Sequence, residues 1–308
     1  MKLSGVFAPI PTPIDDHDRV DTHRLRAALD KWIKRPLAGF VVLGSNGEAA
    51  LLDEVEADRV IVAAREAIPR EQTMIVGTGR ESTQATIHAT KRAAELGADY
   101  VLVRTPGFFK SQMTTDVFVR HYTAVADASP VPVLLYNFTA VTGVNLLPAA
   151  VARLGTHANI VGMKESGGDI AQITEVIAGT PADFQMIAGS LATFYAALCV
   201  GCVGGILAPA CVVAEACVQL YELTRAARHD EAQRLQQELL PIARLLGGGG
   251  YGVAGLKAAL SVIGYDVGMP RPPLVAAPDA AYAAVRDALS QLSHFNSQLS
   301  IHYEPAAR

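Results

Sequence analysis

Residues 73–104 read TMIVGTGRESTQATIHATKRAAELGADYVLVR. Two short apolar runs rich in β-branched residues, Thr73–Gly77 and Tyr100–Arg104, flank an amphipathic stretch at Thr83–Leu96. Runs of that length and composition predict strands, and the segment between them predicts a helix. Strand, helix and second strand in succession imply parallel pairing through a crossover. The same alternation extends outward in both directions. Strands are expected at Gly5–Ile10, Gly39–Leu43, Val133–Tyr136, Ile160–Lys164, Gln185–Ala188 and Val203–Leu207, with helices such as Thr22–Ile33, Leu52–Ala67 and Thr115–Ala126 between them. Together with the first two these make eight strands, the count of an α/β fold of the (β/α)8 TIM-barrel type. A doubly wound sheet would carry a Gly-rich phosphate loop after its first strand, and Pro9, Pro11 and Pro13 stand there instead.

The 308-residue length suits one such barrel with an appendage, and 50% hydrophobic residues supply a large core. Residues 1–212 are assigned to the barrel. Helical patterns at Val213–Arg228, Glu231–Leu246, Leu256–Ile263 and Asp279–Gln291 form an extra C-terminal extension over 213–292, followed by a peripheral tail over 293–308. The GGGGYG run at Gly247–Gly252 follows a helix instead of a strand, so it reads as a flexible connection and not a nucleotide loop.

A formal charge of -4 with no basic stripe argues against nucleic acid as a partner. The uncharged stretch Leu191–Ala214 is long enough to suggest a membrane span. Its Gly201, Gly204, Gly205 and Pro209 break it into helix, turn and a strand covered on both faces, so no membrane partner is expected. The N-terminus, MKLSGVFAPIPTP, lacks the apolar core of a signal peptide. Cys199 and Cys202 have C-x-x-C spacing, but no second Cys/His pair follows. All four cysteines, with Cys211 and Cys217, therefore read as buried thiols in a reducing cytoplasm.

In a barrel of this kind the reactive groups come from the C-terminal ends of the strands. Those ends carry Ser45-Asn46-Gly47-Glu48, Thr78-Gly79-Arg80, Thr105-Pro106, Tyr136-Asn137, Lys164-Glu165-Ser166, Gly189-Ser190 and Ala208-Pro209. Lys164 closes an apolar strand with no other charge before it. A lysine in such a place is either paired, here with Glu165 or Glu48, or it is a nucleophile. Desolvation disfavours its charged form and leaves an amine able to form an imine. Adjacent strands bring Tyr136 beside it, where the phenol is either a proton carrier or a core tyrosine satisfied by backbone. Ser45, Asn46 and Gly47 make a turn whose amides and hydroxyl suit a carboxylate, although these residue types also dominate ordinary turns.

At these residues the chain resembles the dihydrodipicolinate synthase / N-acetylneuraminate lyase family of class I aldolases. GSNGE (Gly44–Glu48), YNFTAVTG (Tyr136–Gly143) and VGMKESGGD (Val161–Asp169) carry the resemblance, which extends from GVFAPIPTP to the GLKAAL run (Gly255–Leu260). The runs GFVVLGSNGE, ESTQAT, HYTAVADASPVPVLLYN and NIVGMKESGGD are most similar to the 4-hydroxy-2-oxoglutarate aldolase branch. The resemblance implies that Lys164 is the Schiff-base lysine, Tyr136 the phenolic proton carrier and Ser45 a relay hydroxyl. It implies a carboxylate grip by Asn46 and the backbone of Gly47, a pyruvate side lined by the backbones of Gly189 and Ile206, and a pocket wall at Ser166. It also implies a homotetramer that needs no metal and no organic cofactor, with a 2-oxo acid and an aldehyde as small-molecule partners.

Two positions depart from the family pattern. Phe108, in TPGFFKS, stands where the family places a tyrosine that reaches a neighbouring subunit, and a phenyl ring cannot pass protons. Val141 stands where the synthase branch has an arginine for the carboxylate of its aldehyde substrate, which disfavours that condensation. With Phe109 they are expected to make the aldehyde side more apolar, fitting glyoxylate or a less polar relative. A dehydratase of 2-oxo-3-deoxy sugar acids and a 2-oxo acid sensor are the competing readings.

Overall fold

The protein is described by a computed structural model over residues 3–247 and 250–292. Eight parallel strands close into one barrel in sequence order: β1 (Gly5–Pro9), β2 (Gly39–Val42), β3 (Thr73–Gly77), β4 (Tyr100–Arg104), β5 (Val133–Asn137), β6 (Ile160–Glu165), β7 (Gln185–Ala188) and β8 (Gly204–Ile206). β5 and β6 each run one residue beyond the expected end, because the ladder continues to Asn137 opposite Glu165. The strands sit where their apolar runs are, since parallel strands buried on both faces tolerate no polar interior.

Around the barrel run α1 (Thr22–Trp32), α2 (Glu54–Ala67), α3 (Thr83–Glu95), α4 (Thr115–Ala128), the short α5 (Thr139–Thr142), α6 (Pro148–Leu154), α7 (Ile170–Gly179) and α8 (Phe194–Cys199). Their starts follow local chemistry. Asp53 and Glu56 form a capping box on α2, which therefore begins after a separate 3-10 turn at Ala49–Leu51 and not at Leu52. Ser82 and Thr114 cap α3 and α4 by accepting from the amides of Ala85 and Val117. Beyond β8, α9 (Ala214–Arg225) lies against β1 and α8 and completes the outer ring. α10 (His229–Leu246), α11 (Gly252–Val262) and α12 (Asp279–Ser290) pack on one another outside it. The connection read at Gly247–Gly252 includes residues 248 and 249, and the tail read over 293–308 lies wholly outside the described residues.

Strand alternation divides the core into two layers. Phe7, Val41, Ile75, Leu102, Leu134, Tyr136, Ile187 and Ile206 fill the inside of the barrel. Their sequence neighbours, such as Phe40, Val42, Val101, Val103 and Leu135, join the helices in the outer layer. Three of the four cysteines are buried, and Cys199 alone is exposed, because it ends α8 on the surface side of that layer. Burial pushes the Cys202 thiol up to about 12. Among the described residues no helix is long and apolar enough to cross a membrane, and Leu191–Ala214 divides into short elements as its glycines require.

His121, on α4, couples this packing to pH. Its Nδ1 lies 2.9 Å from Thr83 Oγ1. Its Nε2 is buried with no hydrogen-bond partner among the described residues. Burial pushes the imidazole from 6.5 down to about 4, against the opposing charge of Glu81. In the unfolded chain the ring takes up its proton near 6.5, so this contribution is fully present above that pH and is lost as pH falls towards 4. The expected cost between pH 7 and pH 4.5 is roughly 2 kcal/mol. Urea unfolding at the two pH values should show His121→Phe losing less stability than the wild type by that amount. Equal losses would remove the assignment.

Candidate active site

The register of the ladder sets Tyr136 directly opposite Lys164 and Arg104 directly opposite Tyr136, so all three share the inner face at the C-terminal rim. Lys164 is only 6% exposed. Its Nζ stands 4.4 Å from the centroid of the Tyr136 ring, a cation–π distance. Neither carboxylate weighed as its partner reaches it. Glu165 lies on the other face of β6, where its carboxylate accepts from Asn137 Nδ2 at 2.7 Å, Gln172 Nε2 at 3.0 Å and the amide of Gly167. Burial pushes Glu165 up despite these three donors. Glu48 is taken by Lys257 Nζ at 2.6 Å and by the amide of Arg271 at 2.6 Å. Among the described residues Lys164 thus faces an aromatic ring and no ion-pair partner, so it is not half of a structural bridge.

Tyr136 Oη is 3.3 Å from Ser45 Oγ. That contact joins the phenol on β5 to the turn after β2, so the tyrosine hydroxyl is not spent on backbone. A proton can pass between the amine's surroundings and the turn along this pair.

The turn itself differs from expectation in one respect. The amide of Gly47 donates to Gly44 O at 3.0 Å and that of Glu48 to Ser45 O at 3.1 Å, so Gly47 is engaged inside the turn and does not point its donor outward. The donors that the turn leaves unspent are the amides of Ser45 and Asn46, which enter no backbone bond among the described residues. The turn is bracketed by Leu43 and Glu48, two non-glycine residues at φ 56° and 55°. Such left-handed backbone costs of order 1 kcal/mol or more per residue and persists only where surrounding contacts enforce it. Here Thr12 Oγ1 donates to Gly47 O at 2.7 Å from below, and Glu48 is pinned by Lys257 and Arg271.

Gly189 abuts the lysine. A Cβ there would fall 2.0 Å from Ser166 Oγ and 3.0 Å from Lys164 Cε, so only glycine leaves these two side chains where they are. Ser166 and Gly189 therefore flank the lysine stem, and Ile206, the last residue of β8, belongs to the core inside the barrel. Phe108, Phe109 and Val141 are not packed over the lysine. Phe108 is 77% and Val141 61% exposed. The two phenyl rings meet edge to face at 5.0 Å on the loop after β4, so the expected apolar lining is an apolar surface in this chain.

Sequence reasoning passed over Thr12, Lys257, Arg271 and Gln172, which together with the strand-end Asn137 hold the turn and Glu165 in place. Lys257 did carry a signal, as a lone charge in the apolar run GLKAAL. No group of three or more His, Cys, Asp or Glu residues that could hold a metal occurs among the described residues.

The model of the dihydrodipicolinate synthetase family matches residues 2–292. Over 302 residues the chain is 36% identical to a probable mitochondrial 4-hydroxy-2-oxoglutarate aldolase of Emericella nidulans, covering 96% of this chain and 97% of that protein. It is 33% identical over 291 residues to a 4-hydroxy-tetrahydrodipicolinate synthase of an Exiguobacterium species, covering 94% and 98%. The solved structure of the 4-hydroxy-tetrahydrodipicolinate synthase of Methylacidiphilum fumariolicum SolV matches with a TM-score of 0.90 at 27% identity, over 97% of this chain and 99% of that one.

Proposed function

The chain belongs to the dihydrodipicolinate synthetase family of class I aldolases and lyases. From that footing we propose that it cleaves a 4-hydroxy-2-oxo acid, such as 4-hydroxy-2-oxoglutarate, to pyruvate and an aldehyde. The observation that carries the reading is Lys164 Nζ held 4.4 Å over the Tyr136 ring with no carboxylate among the described residues to neutralise it.

The lysine amine attacks the C2 ketone, and the carbinolamine loses water as Tyr136 hands a proton to the departing hydroxyl. The protonated imine then accepts the electrons of the C3–C4 bond. The 4-hydroxyl gives up its proton as C4 becomes the aldehyde carbonyl, and an enamine is left on the lysine. Protonation at C3 and hydrolysis release pyruvate and restore the amine. The imine is itself the electron sink, so the chemistry needs no metal or organic cofactor. Ser45 relays protons to Tyr136 across their 3.3 Å contact. The substrate carboxylate sits on the amides of Ser45 and Asn46. Gly47 shapes that turn, and Ser166 and Gly189 wall the pyruvate fragment.

With Phe108 at the position of the family's loop tyrosine, the relay ends at Ser45 and Tyr136 or is completed by water. Val141 leaves the synthase-type condensation without its arginine, and the similarity to the fungal aldolase points the same way. The assembly is read as a homotetramer, supported by the exposed Phe108–Phe109 pair, an apolar surface that association would cover. The compartment is read as the cytoplasm, which the four free thiols suit, although the fungal relative is described as mitochondrial.

The test is product analysis. 4-Hydroxy-2-oxoglutarate should yield pyruvate and glyoxylate in equal amounts, and pyruvate with aspartate semialdehyde should yield no condensation product. A product with its carbon chain whole would establish a dehydratase. Efficient condensation would establish a synthase.

A further inference from the structure

With Val141 in the loop after β5, the aldehyde half of the substrate has no recognition element there, and the inner rim supplies one. Arg104 is the last residue of β4. Leu102, two residues before it, lies inside the barrel, whereas Val101 and Val103 lie outside it. Alternation therefore turns Arg104 inward, and the ladder sets it level with Tyr136 and, one strand further, with Lys164. A charged residue on that face lies where the reaction takes place.

The side chain is held and yet unsaturated. Arg104 Nη1 donates to Glu81 Oε1 at 2.7 Å and to Thr105 O at 3.1 Å. The other carboxylate oxygen of Glu81 accepts from the amides of Gly107 at 3.0 Å and Phe108 at 2.9 Å, which fixes Glu81 to the loop after β4. Burial pushes the Glu81 carboxyl up, but the Phe108 amide, Arg104 and the Gly107 amide outweigh it and leave Glu81 below the usual range, ionised. Nε and Nη2 of Arg104 have no hydrogen-bond partner among the described residues, and the side chain is 26% exposed. Those two nitrogens form one edge of the guanidinium, the fork that grips a carboxylate with two parallel hydrogen bonds. Room for the stem comes from Gly79, where a Cβ would stand 2.7 Å from Arg104 Cγ.

We infer that the Nε/Nη2 edge of Arg104 binds the distal carboxylate of the substrate, so that the aldehyde released is a 2-oxo acid of the glyoxylate type and not an aliphatic or aromatic aldehyde. This deepens the aldolase reading and rests on it. The span fits. Arg104 and Lys164 stand two strands apart, about 10 Å along the barrel wall, and both lean inward. From the imine carbon to the distal carboxylate carbon of 4-hydroxy-2-oxoglutarate are three C–C bonds, roughly 4 Å, with a hydrogen bond of about 3 Å beyond. Arg104 thereby does from the barrel wall what Val141 cannot do from the loop after β5. Glu81 is a positioning residue, since it orients the guanidinium through Nη1 and leaves the other edge free.

The experiment compares wild type, Arg104→Met and Arg104→Lys on two substrates, 4-hydroxy-2-oxoglutarate and 4-hydroxy-2-oxopentanoate, which differ by a methyl group in place of the distal carboxylate. Each protein is also treated with pyruvate and borohydride, and the reduced adduct is measured by intact mass. Arg104→Met is expected to keep the adduct, to lose roughly 100-fold in kcat/KM for the diacid, and to stay within about threefold for the monoacid. Arg104→Lys, a point charge without the fork, should recover part of the loss for the diacid only. With the adduct formed, an unchanged diacid rate or equal losses on both substrates would overturn the subsite and leave the aldolase reading standing. No adduct in the wild type would remove the aldolase reading, and the subsite with it.

Discussion

Lys164→Ala is expected to abolish the reduced-pyruvate adduct in intact-protein mass spectrometry and to lower turnover by at least about four orders of magnitude. No other described lysine is buried at the rim with its amine unspent, since Lys31, Lys34 and Lys91 are exposed. Lys257 is spent on Glu48 and on the carbonyl of Met269 at 2.8 Å, and Lys110 is exposed on the loop after β4. The substitution shortens a side chain at the open rim and leaves no charge behind, so the folded state should survive it. Tyr136→Phe makes the informative contrast. It keeps the ring under the amine and removes only the hydroxyl 3.3 Å from Ser45. The adduct should still form, more slowly, with kcat down by roughly 10²–10³. An adduct that persists in Lys164→Ala would move the imine to another lysine and undo the site as described.

Lys257→Met should be the most destabilising single change that leaves the pocket residues themselves untouched. Lys257 is 2% exposed, and its Nζ lies 2.6 Å from a Glu48 carboxylate whose side chain is fully buried. Removing one partner of a buried pair strands the other charge, at a cost of about 3–5 kcal/mol. The effect also reaches the chemistry, because Glu48 ends the turn that carries Ser45 and Asn46 and sits in left-handed backbone that its partners enforce. Chemical denaturation should show the loss, and the protein that remains folded should bind pyruvate more weakly. A double variant, Lys257→Met with Glu48→Gln, should regain part of the stability, since it leaves no uncompensated charge. A single variant within about 1 kcal/mol of wild type would show that the ion pair does not hold the turn.

Much of this molecule is legible along the chain. Alternation of apolar runs with amphipathic segments settles the barrel, because parallel strands covered on both faces and helices covered on one leave distinct periods in the sequence. The same rule, applied to the strand ends, picks out Lys164, Tyr136 and the Ser45 turn, and a lysine closing an apolar strand is rare enough to be informative. What local pattern does not carry is the partner of each charge. Whether Lys164 is half of an ion pair turns on where Glu48 and Glu165 point. Glu48 is claimed by Lys257 on α11 and by Arg271 in the connection from α11 to α12, whose amide lies 223 positions away in sequence. Gly47 was read as an outward donor, and its amide is instead consumed inside the turn. Arg104 passed as the last residue of a strand until the register set it abreast of Tyr136 with one guanidinium edge unpaired. Composition and period are properties of short segments, and they decide which elements form. Ion pairs, open donors and register depend on which distant segments the closed barrel brings level, and only the folded chain decides that.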